Sequence, residues 1–373
     1  MEGLDLTRDI SLYIHVPFCH RKCDYCAFYS LDRNCIGDNE MDLYLRNLIL
    51  SIDALNKEIN KPYYTIFIGG GNPALIGYEN LRKILMHAES NGMPEEVTIE
   101  INPEDVTDDI LSLKDYVTRI SIGVQSLKEK TLKTLGRNSS VEKARNALSI
   151  LSTSGFDFNA DLIVSVPGQS VEEVIEDINS IDSYNPTHIS LYCLTFEEGT
   201  PIVERLTPIG EDKEVEFLTK TWKHLESLGY EHYEISNFAK KGKESKHNLV
   251  YWHLGQYIGL GPTAESSIGY ERVISMRNTE DLSSYISDPA FEAYRLDNTE
   301  AQEEFLLASL RIKEGIDKRI YKERFNIDFD SLYFDAIKEL NPSDYVNTSE
   351  RFSLTEEGML KLDSIILTLA LHL

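Results

Sequence analysis

Apolar and polar residues alternate with period two in short runs along the first two thirds of the chain, and each run is followed by a stretch of helical period. The strand-like runs are 11–16, 64–69, 96–102, 118–124, 158–164, 188–194 and a weaker one at 231–235. Helical patterns lie between them near 40–56, 78–91, 108–114, 141–154, 171–183 and 212–228. Strand, helix, strand at this spacing calls for parallel pairing through right-handed crossovers, so the pattern predicts an α/β fold built as a partial (β/α)6 barrel over 1–239. The rhythm is lost over 240–295, where Gly, Ser and Tyr become frequent, which predicts a linker and site-forming segment. From 296 to 373 the pattern changes again. Helices are expected at 300–312, 318–325, 330–339 and, after the N-cap Thr355, 355–371, with a short hairpin at 345–352, which together predict a mostly helical, winged-helix-like domain.

Three cysteines follow the first strand, Cys19, Cys23 and Cys26, spaced C-x3-C-x2-C. Pro17 lacks an N–H and ends the strand, so the cysteines fall in the loop leaving it. Closed structural metal sites use four ligands. Three thiolates leave one iron of a [4Fe–4S] cluster open to a ligand that is not protein. A zinc knuckle completed by Cys35 is the competing reading.

With 373 residues, 42% of them hydrophobic, the chain can bury a large core. Its net charge of −25 repels nucleic acid and anionic membranes. No apolar run is long enough for an integral membrane segment, and the first ten residues carry acidic side chains rather than a leader, so a cytoplasmic location is expected. Three of the five cysteines sit within eight residues, a usage suited to a reducing compartment and a metal.

Polar residues recur where successive strands end. Ile68-Gly-Gly-Gly-Asn-Pro73 exposes backbone to a ligand, or simply makes a tight turn. Glu100 is followed by Asn102 on the same side of its strand; Gln125 ends the next, Arg137 follows in Leu-Gly-Arg, and Asp161 interrupts an apolar run. One carboxylate for an amine, one guanidinium for a carboxylate and one carboxylate for ribose hydroxyls match S-adenosylmethionine (SAM).

With these motifs the chain resembles radical SAM proteins of the oxygen-independent coproporphyrinogen III oxidase family along nearly its whole length. The resemblance implies a radical SAM partial barrel with a [4Fe–4S] cluster on Cys19, Cys23 and Cys26. It implies SAM contacts at Tyr13, Tyr25, Gly70, Gly71, Asn72, Glu100, Gln125, Arg137 and Asp161. Oxidases of the family carry a fourth cysteine two residues after the third and a longer N-terminal extension. Phe28 and the eighteen residues before Cys19 resemble the haem-chaperone branch instead.

In that branch the run His247-Asn-Leu-Val-Tyr-Trp252 matches a signature linked to haem, which implies haem contacts at His247, Asn248, Tyr251 and Trp252, with His247 a candidate axial ligand. Lys240, Lys241, Lys243 and Lys246 precede it and offer cations to the haem propionates. The chain departs from the family pattern at Asn72 for threonine, Glu265 for histidine, Cys193 for glutamine and Ser165 for glycine. The reading is a haem chaperone that delivers haem to haem-requiring proteins; the alternative is the oxidative decarboxylase of coproporphyrinogen III. A reduced flavodoxin or ferredoxin is the implied electron donor, and a homodimer stays open. A radical enzyme acting on RNA is disfavoured by the charge.

Overall fold

Strands of this protein carry an apolar face outward and a polar face inward, and that division organises the fold. A computed structural model describes residues 5–268, 274–278 and 281–373. The first four residues and positions 269–273 and 279–280, on which part of the leader and linker readings falls, lie outside the described residues.

The main sheet contains β1 (Ile10–Val16), β2 (Thr65–Gly70), β3 (Glu96–Ile101), β4 (Arg119–Gln125), β5 (Asp157–Val164), β6 (His188–Cys193), β7 (Glu231–Glu234), β8 (Asn237–Ala239), β9 (Gln256–Leu260), β10 (Glu265–Ile268), β11 (Ile274–Asn278) and β12 (Phe291–Arg295). Their order is β12-β11-β10-β9-β1-β2-β3-β4-β5-β6-β8-β7. Each of β1 to β6 pairs in parallel with the next, which is the partial (β/α)6 barrel expected from the periodicity.

Leu12, Ile14, Ile66, Ile68, Ile99, Ile120, Ile122, Ala160 and Ile189 are fully buried on the outward face. They share a core with α1 (Asp38–Ile59), α2 (Tyr78–Ala88), α4 (Val141–Ser154), α5 (Val171–Asp182) and α7 (Glu211–Ser227). At about 1.5–3 kcal/mol for each large side chain removed from water, this outer layer supplies the stability that lets the other face be polar. Helix starts are encoded locally. Ser170 accepts from the Glu173 amide while the Glu173 carboxylate accepts from the Ser170 amide, closing a capping box on α5.

The 240–295 stretch corrects the linker reading. It adds β9 to the open side of the barrel, parallel to β1, with Ile10 opposite Gln256 and Ile14 opposite Leu260, and then β10 antiparallel to β9. It also supplies α8 (Lys246–Trp252), which closes the floor of the barrel. Ser245 caps α8, and the Glu96 carboxylate accepts from the backbone amides of Lys246 (3.1 Å) and His247 (3.0 Å). An anion at exposed helix-start amides is a favourable contact, and here it ties the floor to β3.

Beyond 296 lie α10 (Asn298–Ser309), α11 (Lys318–Phe325), α12 (Phe329–Leu332), α13 (Phe334–Glu339), α14 (Glu356–Met359) and α15 (Leu362–Ala370) around a three-stranded sheet. The helix expected at 330–339 is interrupted at Tyr333, whose fully buried ring packs 4.7 Å from Phe329. The one expected at 355–371 turns at Lys361, whose amide bonds the Gly358 carbonyl three residues back.

Glu96→Ala leaves two helix-start amides of α8 without their acceptor in a place only 6% exposed. Its denaturation midpoint is expected to fall by about 1–3 kcal/mol, the cost of stranding buried donors. Glu95→Ala, which removes only a surface partner of Lys246, is expected to leave the midpoint unchanged.

Candidate functional site

Most inward-facing positions of the barrel strands are polar, and a network links Asn159, Ser121, Asp161, His188 and Ser190, while Thr98 Oγ1 and Arg119 Nη2 stay unpartnered. Asn159 is the hub: its amide donates to Ser121 Oγ and Asp161 Oδ1, both at 2.7 Å, and its carbonyl oxygen faces His188 Nδ1 at 2.6 Å. Above this layer, where β1 to β6 end, opens a cavity of about 560 Å³. Cys19, Cys23, Cys26, Tyr25, Gly70, Gly71, Glu100, Gln125, Arg137 and Asp161 all line it, so most of the expected cluster and SAM contacts come together in one place; Asn248, expected at haem, lines this cavity as well. Strand ends are where α/β folds hold ligands.

The cysteine loop is pinned at its base. Phe18 and Cys19 pair in parallel with Leu31 and Asp32, and the Asp24 amide bonds the Leu135 carbonyl. No cysteine is in a disulfide, and Cys35 sits exposed in the turn Arg33–Cys35. Among the described residues, no three Cys, His, Asp or Glu side chains converge as the zinc knuckle requires. A four-iron cluster makes no such demand, because each thiolate takes a different iron. Burial pushes the Cys19 thiol up to about 11 and raises Cys26 as well, so binding metal must displace protons.

Electrostatics at the far wall fit an amino acid. Glu100 accepts one protein hydrogen bond, from the Gly70 amide at 3.1 Å. Burial and then the Asp161 carboxylate push its acid up to about 7, so the wall lacks a cation that an ammonium group would bring. Burial also raises Asp161, opposed by hydrogen bonds from Ser190, Asn159 and Ser121. Arg137 donates to the Gly123 carbonyl (2.6 Å), to Asn102 Oδ1 (3.3 Å) and to Cys23 Sγ (3.6 Å), which holds one cation beside the thiols. A bulge in β4 puts Gln125 at φ +64°, with its buried Oε1 unpartnered at the cavity wall. The donor set therefore fits both a three-thiolate cluster and the charged end of SAM.

The glycine run has a packing cause too. A Cβ on Gly69 would stand 2.5 Å from Glu100 Oε2, and one on Gly71 would stand 2.5 Å from the Phe18 carbonyl oxygen.

Several expected contacts fall elsewhere. Asn72 is fully buried, and its amide donates to Asp105 Oδ2 at 2.5 Å, so it braces the loop rather than facing the cavity. Tyr13 meets His15 Nδ1 through its hydroxyl at 2.9 Å and lines a second cleft of about 450 Å³ with Tyr251, Trp252, Tyr257, Glu265 and Arg311.

His247 lines neither space. It is fully buried, with Nδ1 at 2.7 Å from Thr65 Oγ1, Nε2 at 2.7 Å from the Tyr251 hydroxyl, and its ring stacked on Phe67. Burial lowers its pKa to about 3, which keeps the imidazole neutral. Both ring nitrogens are engaged, so axial ligation by His247 is corrected to a structural role in the barrel floor. Of the four lysines before His247, Lys243 pairs with Asp157, Lys246 pairs with Glu95 and Lys240 approaches Asp182.

Sequence reasoning missed Asn159, Asp105 and His20, and named Asn102 only for sharing a register with Glu100. Asn159 was readable, because it shares an inward register with Asp161; Asp105, bonded to His20 Nε2 at 2.9 Å, meets its partner across 85 residues and leaves no local signal.

Residues 13–181 match the family model described as the Radical SAM superfamily, and residues 296–360 match that of the HemN C-terminal domain. A relative from Buchnera aphidicola subsp. Schizaphis graminum, called heme chaperone HemW, is 32% identical over 96% of this chain and 97% of its own length. The heme chaperone HemW of Escherichia coli K12 is 32% identical over the same shares, 96% and 97%. Among solved structures, coproporphyrinogen III oxidase (HemN) from Escherichia coli superposes with a TM-score of 0.80 at 20% identity, covering 98% of this chain and 91% of that one, a likeness of fold. With that identity to relatives along almost all of both chains, and the three-thiol loop over a barrel of radical SAM type, this protein belongs to the HemW family of radical SAM proteins.

Proposed function

We propose that this protein is a cytoplasmic haem chaperone that binds haem and passes it to haem-requiring proteins, and that it holds a SAM-coordinating [4Fe–4S] cluster. Cys19, Cys23 and Cys26 would hold the cluster. Glu100 would take the ammonium of SAM, Arg137 its carboxylate and Asp161 the ribose hydroxyls, with Tyr25, Gly70, Gly71 and Gln125 around them. When bound and reduced, a cluster of this kind supplies an electron to SAM; the residues named here bind and orient the two groups. A reduced flavodoxin or ferredoxin is the expected source of that electron.

The observation that carries the chaperone reading over coproporphyrinogen oxidation is position 28. Phe28, 69% exposed beside the cysteine loop, stands where the oxidase branch has its fourth cysteine. Haem is assigned to the second cleft, between the barrel floor and the C-terminal domain, where Tyr251, Trp252 and Tyr257 offer flat faces. Glu265, Glu304 and Asp363 also line that cleft, so the propionate edge has to turn outward or toward Arg311. Anaerobic reconstitution followed by parallel assays of haem binding and coproporphyrinogen consumption separates the two readings. Turnover of the porphyrinogen without haem binding would reverse the choice.

Three outcomes follow for variants. Alanine at Cys19, Cys23 or Cys26 is expected to abolish an iron content of about four per chain, while Cys35→Ala keeps it, as measured by iron and sulfide analysis. SAM affinity of the parent is expected to rise by up to about tenfold per pH unit below 7 and to level above it, because the ammonium binds the ionised Glu100. Glu100→Gln should bind SAM weakly and flatten that profile. The sign is opposite for the ligand-free fold: an acid raised to about 7 holds its proton more tightly when folded, so its contribution to stability falls as pH rises from the ordinary glutamate value to 7. His247→Ala is expected to lower stability by about 1–3 kcal/mol, stranding Thr65 and Tyr251, and to leave the haem absorption bands in place. A band shift would restore His247 as a ligand.

A further inference from the structure

A basic rim lies on and beside the cysteine loop of a chain whose net charge is −25. Arg21 and Lys22, between Cys19 and Cys23, are exposed; so are Lys133 on α3 (Glu129–Thr134) and Arg205 on α6 (Pro201–Arg205). Arg21, Lys133, Arg137 and Arg205 line an open pocket of about 470 Å³ that also contains Asp24 and Glu129. Both acids are engaged: Asp24 pairs with Arg205, and Glu129 accepts from the Val141 amide that opens α4. Arg21, Lys22 and Lys133 form no ion pair among the described residues, whereas Lys128, Lys243 and Lys246 are all paired. Arg21 and Arg137 line this pocket and the SAM cavity alike, so the two spaces meet at two guanidiniums.

Exposed charges of this kind contribute little to folding but act on association. An acidic protein is repelled by the body of this chain and attracted at the rim, so the field selects both the partner and its orientation. The rim lies beside the loop that carries the half-buried Cys19, Cys23 and Cys26. A partner seated there is placed for electron transfer rather than for haem transfer, which belongs to the second cleft.

We propose that the rim of Arg21, Lys22 and Lys133 docks an acidic one-electron donor protein. One electron passes to the cluster, the donor is oxidised by one and the cluster reduced by one, and no atom moves between them. This rests on the cluster assignment made above, and it adds the face and the charges that the donor reads.

The test uses the anaerobically reconstituted full chain and reduced flavodoxin, an acidic donor, with affinity from titration and cluster reduction from electron paramagnetic resonance. Lys133→Glu, outside the cysteine loop, is expected to weaken binding by about tenfold or more at low ionic strength, with the gap closing at high salt. Its cluster spectrum, SAM affinity and reduction by dithionite should equal those of the parent. Lys338→Glu, the same reversal in the C-terminal domain, should bind the donor as the parent does. Equal affinity of Lys133→Glu and parent, or equal losses in both variants, would overturn the docking face while leaving the cluster in place. Failure of dithionite to reduce the parent would instead remove the cluster reading and the docking proposal with it.

Discussion

Everything in this fold depends on keeping a polar barrel interior satisfied. A parallel sheet covered by helices ordinarily buries apolar side chains on both faces. Here the inward positions are Ser11, Thr65, Glu96, Thr98, Arg119, Ser121, Asn159, His188 and Ser190, each less than a tenth exposed. Groups like these cost several kcal/mol apiece when stranded and almost nothing when paired, so they rigidify the barrel only as a network. Asn159 joins β4, β5 and β6 in that network, and Thr65 joins β1 and β2 to the floor helix through Ser11 and His247. The floor helix is consequently part of the barrel's hydrogen bonding.

Above the network the balance is deliberately incomplete. Glu100 and Asp161 face the cavity with Arg137 as the nearby cation, and Arg137 is already committed to a carbonyl, an amide oxygen and a thiol. Burial and then the neighbouring Asp161 carboxylate raise Glu100 toward neutrality. On the function proposed above, the ammonium of a zwitterionic amino acid would answer Glu100 and its carboxylate would answer Arg137, while the apolar outer layer supplies the stability that tolerates buried charge here.

The period-two runs made β1 to β6 legible, because the inward register is mostly polar and the outward one apolar, and local patterns suffice for that. The cysteine triplet was legible from its spacing alone, and Glu100, Gln125 and Asp161 from their places in the strand runs. What was not legible is long-range. β9 reads as Gln-Tyr-Ile-Gly-Leu, with no alternation, and gains its strand character from pairing with β1 some 240 residues earlier in the chain. The His247–Trp252 run looks like a ligand set because imidazole and aromatic rings suit haem. Thr65 and Glu96, which turn His247 and its helix into structure, come from β2 and β3 and are invisible from the run itself.

The cysteine loop shows how a segment with almost no secondary structure is held for its chemistry. His20 bonds Asp105, Asp105 accepts from Asn72, Asn72 accepts from the Asn102 amide at 3.4 Å, and Asn102 accepts from Arg137, which returns to Cys23. The path leaves the loop at His20 and re-enters it three residues later, having crossed the ends of β2, β3 and β4. The Asn72 amide spans from Asp105 to the Asn102 backbone with its donor and its acceptor on opposite arms. The precision demanded of the three thiols is borrowed from the rigid strand ends beneath them.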